Sequence, residues 1–498
     1  MGILNLIRFC NPTPYPIFQM KFVRRLSLFF IATLLPMIAV EWSELPLPSG
    51  PDSDTPSLAR AQDGNVYVSW TAPVGEEQHA LWISRFDRET KGWHTPVQIA
   101  RGANWFINWA DNATVVTGLR GRVAAVWYVH NEKSGYHAVI STSPDHGQTW
   151  TSPQPLSTES DGTEFVSFAP LLNGSWLAVW LDSRARANSG SMQLRSRIIG
   201  SDAPDTLIDE RVCDCCPIST LVLPNGSVLA AYRDRSDDEV RDIAYQSYNR
   251  GTWSEAAAPA LDGWRIAGCP VNGASLSRRS GHVATAWFTG AGDKPQVMTA
   301  RSNNLGRSWN VVARLDDPEH PAKGAVRSTV LRDGSQWVSW VEDGGTIALR
   351  TLARDGGLSV INRMPGKAAG KPSMVVLSNN SSEAAQLLVA RVEADGVKTH
   401  IASLPMETTT TLDDCGCDGA ERGHAVRGKI VSVLKDRSAL LVAHEEIPGV
   451  MMAMTMSFQV DPRVLDLVKP DQAIAARMER RDDGKWWLFS IRILESVN

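Results

Sequence analysis

Between residues 41 and 403 one pattern recurs: a glycine turn, then a run in which apolar and polar positions alternate and end on an aromatic ring. The copies are Gly64-Asn65-Val66-Tyr67-Val68-Ser69-Trp70, Gly121 to Trp127, Gly174 to Trp180, Gly226 to Tyr232, Gly281 to Trp287 and Gly334 to Trp340, with a weaker one at Gln386 to Arg391. Alternation with a period of two puts successive side chains on opposite faces and predicts half-buried strands. The step is about 53 residues, which predicts a repeat architecture. A second strand follows each copy, among them Leu81–Phe86, His137–Thr142 and Val397–Leu404. A third element opens on Trp42, Trp93, Trp150, Trp253 and Trp309. Trp42-Ser43-Glu44-Leu45-Pro46-Leu47 precedes the first repeat, while the last repeat lacks such a strand. The economical reading is ring closure, with residues 42–48 supplying the outer strand of the final repeat. The fold class expected is all-β: a β-propeller of seven blades, with a six-bladed ring carrying extra strands as the alternative.

The pattern changes at the end of the chain. Residues 405–423 lose their periodicity and contain Thr408 to Thr411 in a row, so they read as a linker. Five strand-like runs follow: Ala425–Leu434, Ser438–His444, Ala453–Val460, Ala473–Arg480 and Trp486–Leu494. So many short strands within residues 424–498 predict a small five-stranded, OB-like β-barrel. Inside it, His444-Glu445-Glu446-Ile447-Pro448-Gly449-Val450-Met451-Met452-Ala453-Met454-Thr455-Met456 offers one imidazole and four thioethers. Cores seldom use Met so densely, because its flexible chain specifies packing poorly. Imidazole plus thioether is a donor set that suits soft Cu(I) or Ag(I). Met454 and Met456 are two apart, so a strand would project both sulfurs from one face.

Composition narrows the function classes. The net charge of −4 is spread without a basic stripe, which argues against a nucleic-acid partner. Lys21, Arg24 and Arg25 precede an apolar run from Leu26 to Val40. Residues 1–40 therefore read as an export signal, with Met20 as the expected start, or as a retained anchor that would make the membrane a partner. Export makes disulfides feasible. Yet Cys213, Cys215, Cys216, Cys269, Cys415 and Cys417 are clustered, which favours metal or redox chemistry over a framework of staples. Cys216-Pro217 and Cys269-Pro270 lie one repeat apart, so these cysteines are expected at equivalent places near the channel mouth. There they would hold a second soft metal ion, Cu(I) or Zn(II), or tie neighbouring blades by disulfides. Cys415-Gly416-Cys417 in the linker is a thiol relay or an oxidised hairpin.

Two resemblances bear on these readings. Ser143-Pro144-Asp145-His146-Gly147-Gln148-Thr149-Trp150 matches the Asp-box, S-x-D-x-G-x-T-W, and Ser302 to Trp309 is a degraded copy. On these residues, 41–404 resembles the BNR-repeat propellers of the sialidase superfamily. The resemblance implies fold more than function, because Asp-boxes are structural turns. A sialidase would need an arginine clamp for a carboxylate and a Tyr–Glu pair. Arg184, Arg233, Arg235, Arg265 and Arg327, with Tyr232, Asp234, Glu239 and Asn272, are the candidates for a propeller pocket. The early arginine motif of that family is missing; the first repeat reads Thr55-Pro56-Ser57-Leu58-Ala59-Arg60.

The second resemblance is that of residues 424–498 to the CusF-type periplasmic copper and silver metallochaperone domain. It implies a metal site at His444, Met454 and Met456. The founding members of that family cap the metal with a Trp ahead of the M-T-M pair. Met451 and Met452 occupy that region here, and a fourth thioether would replace the cap. Trp486 and Trp487 read as core or rim residues of the last strand.

The leading expectation is an exported or periplasmic copper-binding protein whose partners are the metal ion and a periplasmic copper-handling protein. Its propeller would be a second metal site or a partner platform. A sialidase-like glycoside hydrolase with an appended metal domain is the competitor from the enzyme class. A non-catalytic interaction scaffold is the third reading.

Overall fold

The computed structural model describes residues 40–494, apart from 132–134, 161, 259, 280, 332, 355, 379–384, 405–423, 448–449, 461–464, 466–467 and 481–483. The apolar run before residue 40, the linker and its Cys415 and Cys417 lie outside the described residues. The chain divides into two compact units, residues 1–407 and 408–498.

The first unit is a seven-bladed propeller. The innermost strands of blades 1 to 7 are Asp54–Arg60, Thr114–Thr117, Thr163–Pro170, Ser219–Val222, Ala274–Arg279, Ala322–Val330 and Ala369–Ser378. Each opens an antiparallel meander, and each touches the innermost strand of the next blade around a closed ring. The closure expected from the sequence is present. Trp42–Leu45 pairs antiparallel with Gly396–Leu404, Trp42 opposite Ala402 and Leu45 opposite Thr399. The outer strand of blade 7 therefore comes from the start of the domain.

The repeated glycine turn has a local cause. In Asp63-Gly64-Asn65, Asn173-Gly174-Ser175, Asn225-Gly226-Ser227 and Asp333-Gly334-Ser335, the first side chain accepts the backbone N–H two residues on. The glycine between them takes φ of 82° to 87°, open to it without steric cost. In blades 1, 3, 4, 5 and 6 an aromatic residue late in the second strand then packs between blades: Trp70, Trp180, Tyr232, Trp287 and Trp340 are at most 1% exposed. Ser143–Trp150 joins the third and fourth strands of blade 2. The Asp145 carboxylate accepts the Thr149 N–H and hydroxyl, and the Trp150 indole N–H donates to the Gly147 carbonyl.

Polar residues hold the inner ring together. Ser373 accepts the N–H of Leu58, Ser167 that of Thr220, Ser219 that of Leu276, and Ser275 that of Ser328. Each bond crosses from one blade to the next.

The second unit is a closed barrel of His424–Leu434, Ala439–His444, Met454–Gln459, Ala473–Arg480 and Trp486–Leu494. Its core includes Val426, Ile430, Leu440, Val442, Phe458, Ile474 and Met478, all at most 1% exposed.

Candidate metal-binding sites

In the barrel, the strand ending at His444 runs antiparallel to the strand opening at Met454, and these two residues sit directly opposite each other. Cross-strand partners project to the same face. Two residues further on, Met456 faces Val442, and then Phe458 faces Leu440. One inward row thus runs from exposed Met454 through half-buried Met456 to fully buried Phe458. The apolar bottom of the barrel closes it, and its mouth carries the sulfurs.

His444 is only 4% exposed. Its Nδ1 lies 2.7 Å from the Glu445 carbonyl oxygen, which can only accept, so Nδ1 carries the proton. That assigns the lone pair to Nε2. Nε2 is buried and has no hydrogen-bond partner among the described residues. The Phe458 ring meets the imidazole edge to face at 5.7 Å and limits its rotation. A buried polar atom without a partner calls for an explanation, and an oriented imidazole lone pair beside thioethers is what a soft metal requires. The residues fit such an ion. Met451 packs on the core, its backbone bridged to Ile447, while Met452 is 79% exposed. Trp486 packs against the barrel core and stands edge to face with His424.

In the propeller, Cys213, Cys215 and Cys216 lie on the crossover from the outer strand of blade 3, Thr206–Val212, to the inner strand of blade 4. Their sulfurs all lie within 4.8 Å of one another, and those of Cys213 and Cys216 are 3.2 Å apart. Cys213 and Cys216 are buried and Cys215 is half-buried. The Cys213 N–H donates to the Arg233 carbonyl, which pins the crossover to blade 4. Hydrogen bonds from Cys215, Cys216 and Arg241 hold the Cys213 thiol well below the usual thiol range, while burial pushes Cys216 up. Cys269 is exposed and stands apart from this cluster.

Arg184, Arg233 and Arg235 of the propeller are engaged by the protein itself. Arg233 donates to the carbonyls of Asn272, Arg241 and Phe288, and its guanidinium lies over Trp264 at 4.8 Å. Arg184 binds Asp182, Asp205 and Glu159, and Arg235 binds Glu239 and Asp214. Asn272 bridges blades 5 and 6, donating to Lys323 and accepting from Ala325. Tyr232 donates to Asp209. Arg265 is exposed, and Arg327 lies half-buried on the inner strand of blade 6, donating to the Val326 carbonyl.

The structure adds two residues that sequence reasoning missed. Lys371, on the inner strand of blade 7, donates to the Ala110 carbonyl across 261 positions of sequence and sits over the rings of Trp109 and Phe165. Burial, then the charge of Arg327, lowers its ammonium to about 8, while Asp111, Cys216 and Cys215 pull it upward. Asp111 accepts the N–H of Phe165, and burial raises its carboxyl to about 7. A lysine in a strand, or an aspartate in the bend ahead of one, carries no local sign of burial, so no sequence signal marked either one.

Comparison with known proteins bears on both units. Residues 423–493 match the family described as "Copper binding periplasmic protein CusF". No curated protein matches the chain. Among solved structures, the BP39L lectin from Burkholderia pseudomallei aligns with a TM-score of 0.51 at 13% identity, over 71% of this chain and 96% of that one. A polysaccharide lyase of family PL25, an ulvan lyase, aligns with a TM-score of 0.46 at 13% identity, over 72% and 95%. An α-L-arabinanase from Penicillium chrysogenum gives 0.42 at 13% identity, over 73% and 97%. At such identities the likeness is one of fold alone.

Proposed function

We propose that this protein is an exported, periplasmic copper-binding protein whose C-terminal barrel takes one Cu(I) or Ag(I). His444 Nε2, Met454 and Met456 bind the ion, with Met451 and Met452 supplying further thioethers at the mouth. The match of residues 423–493 to a copper-binding family supports the class of ligand. The single observation that carries the reading is the buried, partnerless Nε2 of His444 directly across the strand pair from Met454.

The chemistry follows from the donors. Thioethers are neutral and soft, so they favour a monovalent soft ion over Zn(II) or Mg(II). Neutral ligands leave the bound ion its charge, which suits a carrier that must release its cargo to a partner. The Glu445 carbonyl fixes the imidazole tautomer, so binding needs no reorientation of the ring. Exposed Met452 and Met454 put the site at the surface, where an ion can be exchanged.

A chelator competition on the full chain tests this. Met454→Leu with Met456→Leu keeps side-chain volume and apolar character, so the barrel should stay folded. Cu(I) affinity at this site should fall by at least about 100-fold. An undiminished affinity would make these sulfurs packing atoms and end the copper reading of the barrel.

A further inference from the structure

We propose that Cys213, Cys215 and Cys216 form a second, separate soft-metal site in the propeller, a three-coordinate thiolate centre for Cu(I). Three sulfurs from one short crossover already converge within 4.8 Å. A metal–thiolate bond of about 2.3 Å puts the sulfurs of a trigonal centre about 4.0 Å apart, inside that envelope. Cys213 and Cys216, at 3.2 Å, need only separate by about 0.8 Å to admit the ion.

The donor count selects the metal. A structural Zn(II) site wants four ligands. Cys269 is exposed and outside the cluster. The Asp214 carboxylate is committed to the Met192 N–H and to Arg235. Three sulfurs with no fourth His, Cys, Asp or Glu in the cluster among the described residues suit a soft monovalent ion of low coordination number.

The surroundings fit the charge. Three thiolates around Cu(I) carry a net charge of −2, which is costly to bury unless cations compensate. Arg241 donates to the Cys213 sulfur at 3.3 Å. The charge of Arg233 also favours a thiolate at Cys216, and that of Lys371 couples to Cys215 and Cys216. Cations of the protein thus offset part of that charge, and Cys215 is the half-buried member of the cluster. A Cys213–Cys216 disulfide is the competing state. It would give up two electrons and two protons to an external oxidant and leave Cys215 as a lone thiol.

The test uses the full chain, reduced and handled without oxygen. In one arm the barrel is silenced by His444→Leu, Met454→Leu and Met456→Leu, so the barrel reading and this one fail separately. Bathocuproine disulfonate competition and metal analysis then count tightly held Cu(I). The expected result is two ions in the parent and one in the barrel-silenced chain, the latter with a thiolate-to-copper charge-transfer band. Cys215→Ser in the silenced chain should weaken that ion by at least about 100-fold, because even outer-shell changes cost 10–100-fold. Cys269→Ala should leave it unchanged. Circular dichroism checks that each variant folds, and Cys215→Ala replaces Cys215→Ser if the serine variant does not. One ion in the parent and one in the silenced chain would sink the barrel reading and leave this one standing. No Cu(I) in the silenced chain, Cu(I) indifferent to Cys215, or a Cys213–Cys216 disulfide that persists under reductant would overturn the propeller site.

Discussion

A single backbone carbonyl, that of Glu445, decides which nitrogen of His444 can act. With Nδ1–H committed to it, Nε2 is left as a buried acceptor without a donor. Such an atom costs about 1 to 3 kcal/mol in the metal-free protein. His444→Leu removes that cost together with one hydrogen bond of about 1 kcal/mol. The metal-free barrel should therefore keep its stability within about 1 kcal/mol in urea unfolding, while Cu(I) binding collapses. A loss well beyond that would show that His444 is structural. Asp111 offers a second test. Its carboxyl is raised by burial from the ordinary value of 3.8 to about 7 in the folded chain. Between those values the folded state binds more protons than the unfolded state, so propeller stability should fall as pH rises from about 4 to 7. Asp111→Asn keeps an acceptor for the Phe165 N–H, as Asn272 does for Ala325 in the equivalent place. It should flatten the dependence of the propeller melting temperature on pH in that window. An unchanged slope would remove Asp111 as its source.

At the scale of elements, ring closure is the feature with most leverage. Trp42–Leu45 covers the outer edge of Gly396–Leu404, and the Thr399 hydroxyl donates to the Leu45 carbonyl. Leu45 is buried and Leu47 packs beside it against the core between blades 7 and 1. Deleting residues 40–48 should cost on the order of 3 kcal/mol in lost apolar burial and leave an unpaired strand edge. The expected outcome is a lower melting temperature of the propeller and association that grows with concentration, read by differential scanning fluorimetry and light scattering. A truncated chain as stable and monomeric as the parent would show that the edge needs no cover. The element pattern was legible because each repeat states its own turn chemistry, as in Asn173-Gly174-Ser175. What lay hidden was how the inner strands begin. Phe165 and Ala325 take positive φ, and the pairing of both strands shifts there. These bulges change which side chains reach the channel, and residue alternation alone does not reveal them.

At the scale of the whole molecule, the two units have separate cores, so each can unfold by itself. The chain should melt in two transitions by calorimetry. Ag(I) at 100 times its dissociation constant should stabilise the barrel by about 2.7 kcal/mol. That shift should vanish in the chain carrying His444→Leu. A single cooperative transition, or a barrel transition indifferent to Ag(I), would contradict this picture.

The sequence by itself determined the all-β class, the seven-fold repeat, the strand that closes the ring and the five strands of the barrel. These follow from local periodicity and turn residues, which act over a few positions. It also placed Met454 and Met456 on one face, because strand alternation is local. The tertiary structure alone decided that the His444 Nε2 is buried and unpartnered, since that depends on packing across the barrel. It decided too that Cys213, Cys215 and Cys216 converge while Cys269 does not, although Cys216 and Cys269 stand one repeat apart. The loop of Cys216 is tied down by Arg233 and Arg241, whereas that of Cys269 lies exposed ahead of Asn272. Lys371 reaches the Ala110 carbonyl next to Asp111 for the same reason: a closed ring brings the inner strand of blade 7 and the approach to blade 2 to one axis, and contacts at that range leave no trace in neighbouring residues.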